Sequence, residues 1–172
     1  MPNWANGTVS VSGKPKDIQK FCQYFIFQED DGNESMNKKY FARSFYWDSW
    51  ENFKKEILTG EGATFNIDFA WSVTSCLIDG YPTRDLKNEC ITLSEACKEC
   101  NVYVEIEAEE GGIGFEEHIE VDEKGELVCD SCEDMPSYKC KMCGESMLIA
   151  SSRDPSDEEC WNCDEIGSWE NE

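Results

Sequence analysis

Thr64-Phe65-Asn66-Ile67-Asp68-Phe69-Ala70-Trp71 puts Phe65, Ile67, Phe69 and Trp71 on one side of an extended chain and Thr64, Asn66, Asp68 and Ala70 on the other. Strand side chains alternate between faces, so the pattern predicts a strand with one buried and one wet side. A strand of that kind belongs to an antiparallel sheet covered on one face, and its covering layer has to be sought in the flanking sequence.

Upstream, Val9 and Val11 alternate with Thr8, Ser10 and Ser12 in another half-buried strand. Gly13 and Pro15 punctuate, and Pro15 suits a first helical position. Ile18, Phe21, Cys22 and Phe25 then follow the stripe of an amphipathic helix. Residues 29–38 read as a polar loop, Phe41 to Trp47 as an aromatic-rich strand, and Ser49 to Leu58 as a short helix built on Trp50, Phe53 and Ile57. Downstream, Thr92-Leu-Ser-Glu95 has the order of a capping box and opens a helix running to about Cys100. Val102, Val104, Ile106 and Ala108 alternate with Tyr103, Glu105 and Glu107. After Gly111-Gly112 a second alternation runs to Val121, with Glu116, His118 and Glu120 on one side. Glu117 interrupts the apolar side, which predicts a bulge there. Asp122 to Gly125 is a turn leading to Glu126 to Cys129. The order of elements predicts an α+β ferredoxin-like sandwich over residues 1–128, with helices on one face of an antiparallel sheet. Residues 129–172 form an acidic, cysteine-rich tail.

That tail carries Cys140-Lys-Met-Cys143 and Cys160-Trp-Asn-Cys163, a C-x2-C-x16-C-x2-C spacing. Two such knuckles close a tetrahedron of thiolates, the pattern of a structural Zn²⁺ site in a zinc ribbon. Iron or a dithiol–disulfide pair are the alternatives. Gly144 is the usual residue after a knuckle, whereas Asp164 follows the second. Two further pairs, Cys97/Cys100 and Cys129/Cys132, predict a second four-cysteine zinc site pinning the tail to the body. Alternatively, Cys129/Cys132 replaces one ribbon knuckle. Cys22, Cys76 and Cys90 stand alone and read as ordinary thiols.

The chain has 172 residues, 37 of them acidic and 15 basic, for a net charge of −22. Met1 to Cys100 holds 15 acidic and 11 basic residues; Asn101 to Glu172 holds 22 acidic and 4 basic ones. Such a field repels nucleic acid and anionic membranes and attracts basic surfaces. No stretch approaches the roughly 18 apolar residues of a membrane span. The start lacks a secretory pattern, so the expected compartment is the cytoplasm, where thiols stay reduced.

Catalytic signatures are weak. Cys97/Cys100 closes a helix, whereas a redox C-x-x-C opens one. His118 reads as a surface residue, no triad can be assembled, and Gly111-Gly112-Ile113-Gly114 lacks a dinucleotide fingerprint. Trp47, Trp50 and Trp71 read as core.

Met1-Pro2-Asn3-Trp4-Ala5-Asn6-Gly7-Thr8-Val9, Phe69-Ala70-Trp71-Ser72 and Glu110-Gly111-Gly112-Ile113-Gly114-Phe115 resemble the YubB-type ferredoxin-like domain family of phages and plasmids, over residues 1–125. The resemblance implies the fold and a mobile-element setting, and it carries no activity. Ala5 stands where many members have cysteine. The expected function is non-enzymatic: docking on a basic, nucleic-acid-binding host protein, one of a defence system among the candidates. The docking surface is nucleic-acid-mimicking, built from Glu105, Glu107, Glu116 and Glu120, with Trp161 and Trp169 as anchors. A zinc-ribbon nucleic-acid-binding module and a small thiol-redox enzyme are the competing readings.

Overall fold

The structure, a computed structural model, describes residues 3–27, 39–46, 53–55, 62–78 and 90–171. Its body runs β1 (Trp4–Ser12), α1 (Pro15–Cys22), β2 (Ile26–Phe27), β3 (Ser44–Tyr46), β4 (Gly62–Ala70), a π-helical turn (Thr74–Ile78), α2 (Leu93–Cys100), β5 (Tyr103–Glu110), β6 (Phe115–Val121) and β7 (Leu127–Asp134). The strands form one sheet in the order β2-β3-β4-β1-β5-β6-β7. The six from β3 to β7 are antiparallel, and β2 adds a short parallel edge.

Register explains the one-sided core. Val9 pairs with Phe65 on one flank and with Ile106 on the other, and Ile106 pairs with Ile119. All four are buried, with Val11, Ile67, Phe69, Val104 and Val121 beside them. Ile18, Phe21 and Cys22 of α1 and Leu93, Ala96, Cys97 and Cys100 of α2 join the same cluster. Phe41 packs against Phe21 and Phe25 at centroid distances of 5.5 and 4.7 Å. Burial of each such ring stabilises the fold by about 1.5–3 kcal/mol. The opposite side of the same strands is polar, and none of the described helices covers it.

The capping box is present at α2. Thr92 accepts from the Glu95 N–H at 3.3 Å, and the Glu95 carboxylate accepts from the Thr92 N–H at 3.1 Å. Thr92→Ala removes the side-chain half and is expected to lower stability by about 1 kcal/mol, read as a lower urea midpoint with unchanged slope.

Several sequence expectations need correction. Strand β7 runs across the 128/129 boundary and extends the large sheet, although its residues 129–134 read as tail. No bulge occurs at Glu117, which keeps register with Ala108 and Cys132; the shift lies between Glu120 and Val121. Glu117 is instead buried, accepting from the N–H groups of Val73 at 2.6 Å and Thr74 at 3.3 Å at the start of the π-helical turn. Trp71 is 40% exposed rather than core, because β4 ends at Ala70 and a positive φ of 76° turns the next side chain outward. The aromatic strand is confined to Ser44–Tyr46. Phe53–Lys55 is helical with Phe53 buried, while Trp47, Trp50, Ile57 and the loop at 29–38 lie outside the described residues.

The tail folds into its own sheet, ordered β10-β8-β9 from β8 (Ser137–Cys140), β9 (Ser146–Leu148) and β10 (Trp169–Asn171). Its separate core is Cys140, Ile149, Cys160 and Trp169. Among the described residues no helix is long and apolar enough to cross a membrane.

Candidate metal centre

The two knuckles are built alike. Cys140 begins a hairpin turn in which its N–H donates to the Glu145 carbonyl at 2.8 Å and its carbonyl accepts from the Gly144 N–H at 2.8 Å. Cys160 does the same with Glu165 at 2.9 Å and Asp164 at 2.8 Å. Gly144 and Asp164 occupy the equivalent left-handed position, at φ 77° and 58°. The second knuckle therefore closes without glycine, since aspartate is among the few residues that tolerate this conformation.

The turns bring all four sulfurs together. Cys140 Sγ lies 3.7 Å from Cys163 Sγ, and Cys143 Sγ 3.6 Å from Cys160 Sγ; all four fall within 4.8 Å of one another. A tetrahedral site with Zn–S bonds of about 2.3 Å needs sulfurs about 3.8 Å apart, so the donors fit one Zn²⁺. Their protonation is divided while they stand as thiols. Cys143 is drawn down to about 6 by the Asn162 side chain and the Glu145 N–H. Cys163 accepts from the Glu165 N–H, which lowers it, yet burial and hydrogen bonds with the other three thiols push it up to about 12. A divalent cation removes this conflict by stabilising every thiolate at once.

Cys97, Cys100, Cys129 and Cys132 do not assemble a second centre. Cys97 and Cys100 face the core from α2, and burial raises both thiols, Cys100 to about 11. Cys129 and Cys132 lie on a strand, where a spacing of three sends side chains to opposite faces. Cys129 pairs with Glu120 on the wet face, and Cys132 pairs with Glu117 on the other. Neither pair chelates with the other, and the 129/132 pair does not substitute for a ribbon knuckle. All eleven cysteines are free of disulfides. Cys22 and Cys76 are buried and Cys90 half-buried.

The wet face of the sheet collects the predicted acidic residues. One rung reads Asp68, Asn6, Glu109, Glu116, Glu133; the next Asn66, Thr8, Glu107, His118, Ser131; the third Thr64, Ser10, Glu105, Glu120, Cys129. Like charges opposite one another oppose folding, and local partners offset part of this. Arg153 pairs with Glu109, the Ser151 N–H donates to Glu116 at 2.8 Å, and His118 Nε2 meets Glu120 at 2.8 Å. The Tyr103 hydroxyl donates to Glu120, holding that carboxyl below its ordinary range, and the bond pushes the phenol up to about 12. Asp68, Glu109 and Glu133 join the four glutamates expected from the sequence; of these three, Glu109 continues the period-two pattern of Glu105 and Glu107. Trp4 also lies on this face, 37% exposed and edge-on to Phe45 at 5.5 Å.

The two tail tryptophans part company. Trp161 is exposed. Trp169 is buried against the knuckles and its indole N–H donates to the Glu158 carbonyl at 2.9 Å, so it is core of the tail rather than an anchor for a partner. Comparison with known protein families, with curated proteins and with solved structures finds no match to the chain, so residues 1–125 gain no family assignment from them.

Proposed function

We propose that this chain is a non-enzymatic binding protein that docks on a basic, nucleic-acid-binding protein through the wet face of its sheet. The carrying observation is the run of carboxylates across three rungs, from Asp68 to Glu133, with no lysine or arginine contributed by the strands to that face among the described residues. Carboxylates two residues apart on a strand are about 6.7 Å apart. That is of the order of the charge spacing along a nucleic-acid strand, about 3.4 Å per phosphate. Complementary charge speeds encounter, and an aromatic at the rim supplies the desolvated anchor. Trp4, beside Asn6 and Asp68, suits that part better than Trp169, and Trp161 offers a second contact on the tail.

In the same reading the body is a ferredoxin-like sandwich. The strand order β3-β4-β1-β5, with a helix after β1 and another after β4, supports it, and β6 and β7 widen the sheet. The tail is a zinc ribbon whose metal is structural, since four cysteines leave no open position. Against a thiol-redox enzyme, burial raises Cys97 and Cys100, the reverse of an activated dithiol. The resemblance to a phage and plasmid family suggests a host protein as the target.

Capture from host lysate with identification by mass spectrometry would supply the target. Glu105→Lys with Glu107→Lys is then expected to slow association tenfold or more at low salt, because the half-exposed Glu105 and exposed Glu107 act over a screening length of about 10 Å even at 0.1 M. Lys16→Ala serves as a control with unchanged binding. An association rate insensitive both to salt and to the double reversal would leave the acidic face as a solubilising surface. Tight, saturable binding of free DNA or RNA would favour the nucleic-acid module instead.

A further inference from the structure

We propose that His118, Glu120 and Cys129 form a second metal site, open in coordination and selective for a borderline divalent transition ion of the zinc class. His118 and Glu120 are two apart on β6 and share the wet face, and Cys129 sits opposite Glu120 on β7. Their ligand atoms all lie within 4.8 Å of one another. The bulge is what creates the set. Val121 pairs with Leu127, so an unbroken ladder would match Glu120 with Val128 and turn Cys129 to the opposite face. The extra residue between Glu120 and Val121 pairings instead brings the thiol beside the carboxylate and the imidazole.

Surrounding groups are arranged as a metal site needs. Glu107 faces His118 across β5 and β6 and approaches Nδ1 at 4.0 Å, while Nε2 points to Glu120. At 4.0 Å this carboxylate stands behind the ring beyond hydrogen-bond reach, where a small approach would let it orient the imidazole. The Tyr103 hydroxyl holds Glu120. Where a proton now bridges His118 and Glu120, a cation can take its position. One imidazole, one thiolate and one carboxylate match zinc, cobalt or nickel and disfavour magnesium or calcium, which prefer oxygen throughout. Three protein ligands leave a fourth position for water or a small ligand. His118 also lines a hollow of about 690 Å³ between the wet face and Ala150–Arg153, which gives such a ligand room.

The test uses the full chain carrying one equivalent of Zn²⁺ in the ribbon, titrated with Co²⁺ near neutral pH. One further equivalent should bind, with the charge-transfer absorption of a single thiolate rather than four, and without release of the zinc. Cys129→Ser should abolish that absorption, and His118→Ala should weaken Co²⁺ binding tenfold or more. Cys132→Ser, on the opposite face, should change neither. Retained ribbon zinc and an unchanged far-ultraviolet spectrum certify the fold of each variant. No thiolate absorption from the wild-type protein would overturn the proposal without recourse to variants. So would a second equivalent bound equally well by Cys129→Ser and His118→Ala.

Discussion

Cys140→Ser is expected to unfold the tail and leave the body standing. The tail core has only four buried members, two of them the knuckle cysteines Cys140 and Cys160. At about 1.5–3 kcal/mol for a large apolar side chain, Ile149 and Trp169 cannot offset the entropy of ordering some 35 residues at about 1 kcal/mol or more each. A structural Zn²⁺ contributes an apparent 10–16 kcal/mol in comparable small domains, so with an ion on the four cysteines the loss of one ligand would take away the tail's main source of stability. The body keeps its own cluster, which shares no residue with the tail. The connections between them include a Met135-to-Gly114 backbone bond at 2.8 Å, the Ser151 N–H bond to Glu116 at 2.8 Å and the partly exposed Arg153–Glu109 pair, the last worth no more than about 1 kcal/mol. The variant should lose its metal, expose residues beyond Asp134 to protease, and retain the body's cooperative transition. Chelation of the wild-type protein should reproduce the effect reversibly. A metal-free variant whose tail still resists protease would show that the ribbon folds without its ion.

The parts legible in the sequence are those where burial is one-sided or chemistry is local. Phe65, Ile67 and Phe69 alternate because helices cover one face only. Thr92 and Glu95 satisfy each other within four residues, and each knuckle closes within six. Strand β7 is not legible, because both of its sides are largely exposed and Leu127 to Asp134 carries no hydrophobic alternation. Its C-x2-C therefore reads as a chelating turn, though on a strand it parts its thiols to opposite faces. The bulge at Glu120 and Val121 leaves no local mark and decides which way Cys129 points. Trp169 resembles an exposed anchor in composition alone. Trp169 fills the tail core beside the knuckles, whereas Trp161, inside the second knuckle, stays exposed.

Glu117→Ala is expected to cost roughly 3 kcal/mol or more. This carboxylate is 4% exposed and lies on the apolar side of β6, where an unpaired charge would be prohibitive. It is tolerated because a turn 43–44 residues earlier presents two N–H groups, from Val73 and Thr74. Hydrogen bonds to a charged acceptor contribute about 1.5–3 kcal/mol each, and truncation also takes this acceptor from both donors. Glu117→Gln keeps the shape and one acceptor but turns an NH₂ group toward a donor, so roughly half the loss should remain. Glu116→Ala, one residue away on the wet face, should stay within about 1 kcal/mol. Urea denaturation orders the three variants, and hydrogen exchange at Val73 and Thr74 should quicken in Glu117→Ala before global unfolding. If Glu117→Ala were as mild as Glu116→Ala, the π-helical turn would be held by its own packing rather than by this strand. The tie also matters for the wet face. Glu116 and His118 flank Glu117 on β6, so freeing the strand from the turn loosens both the acidic rungs and the His118 cluster without altering any residue in them.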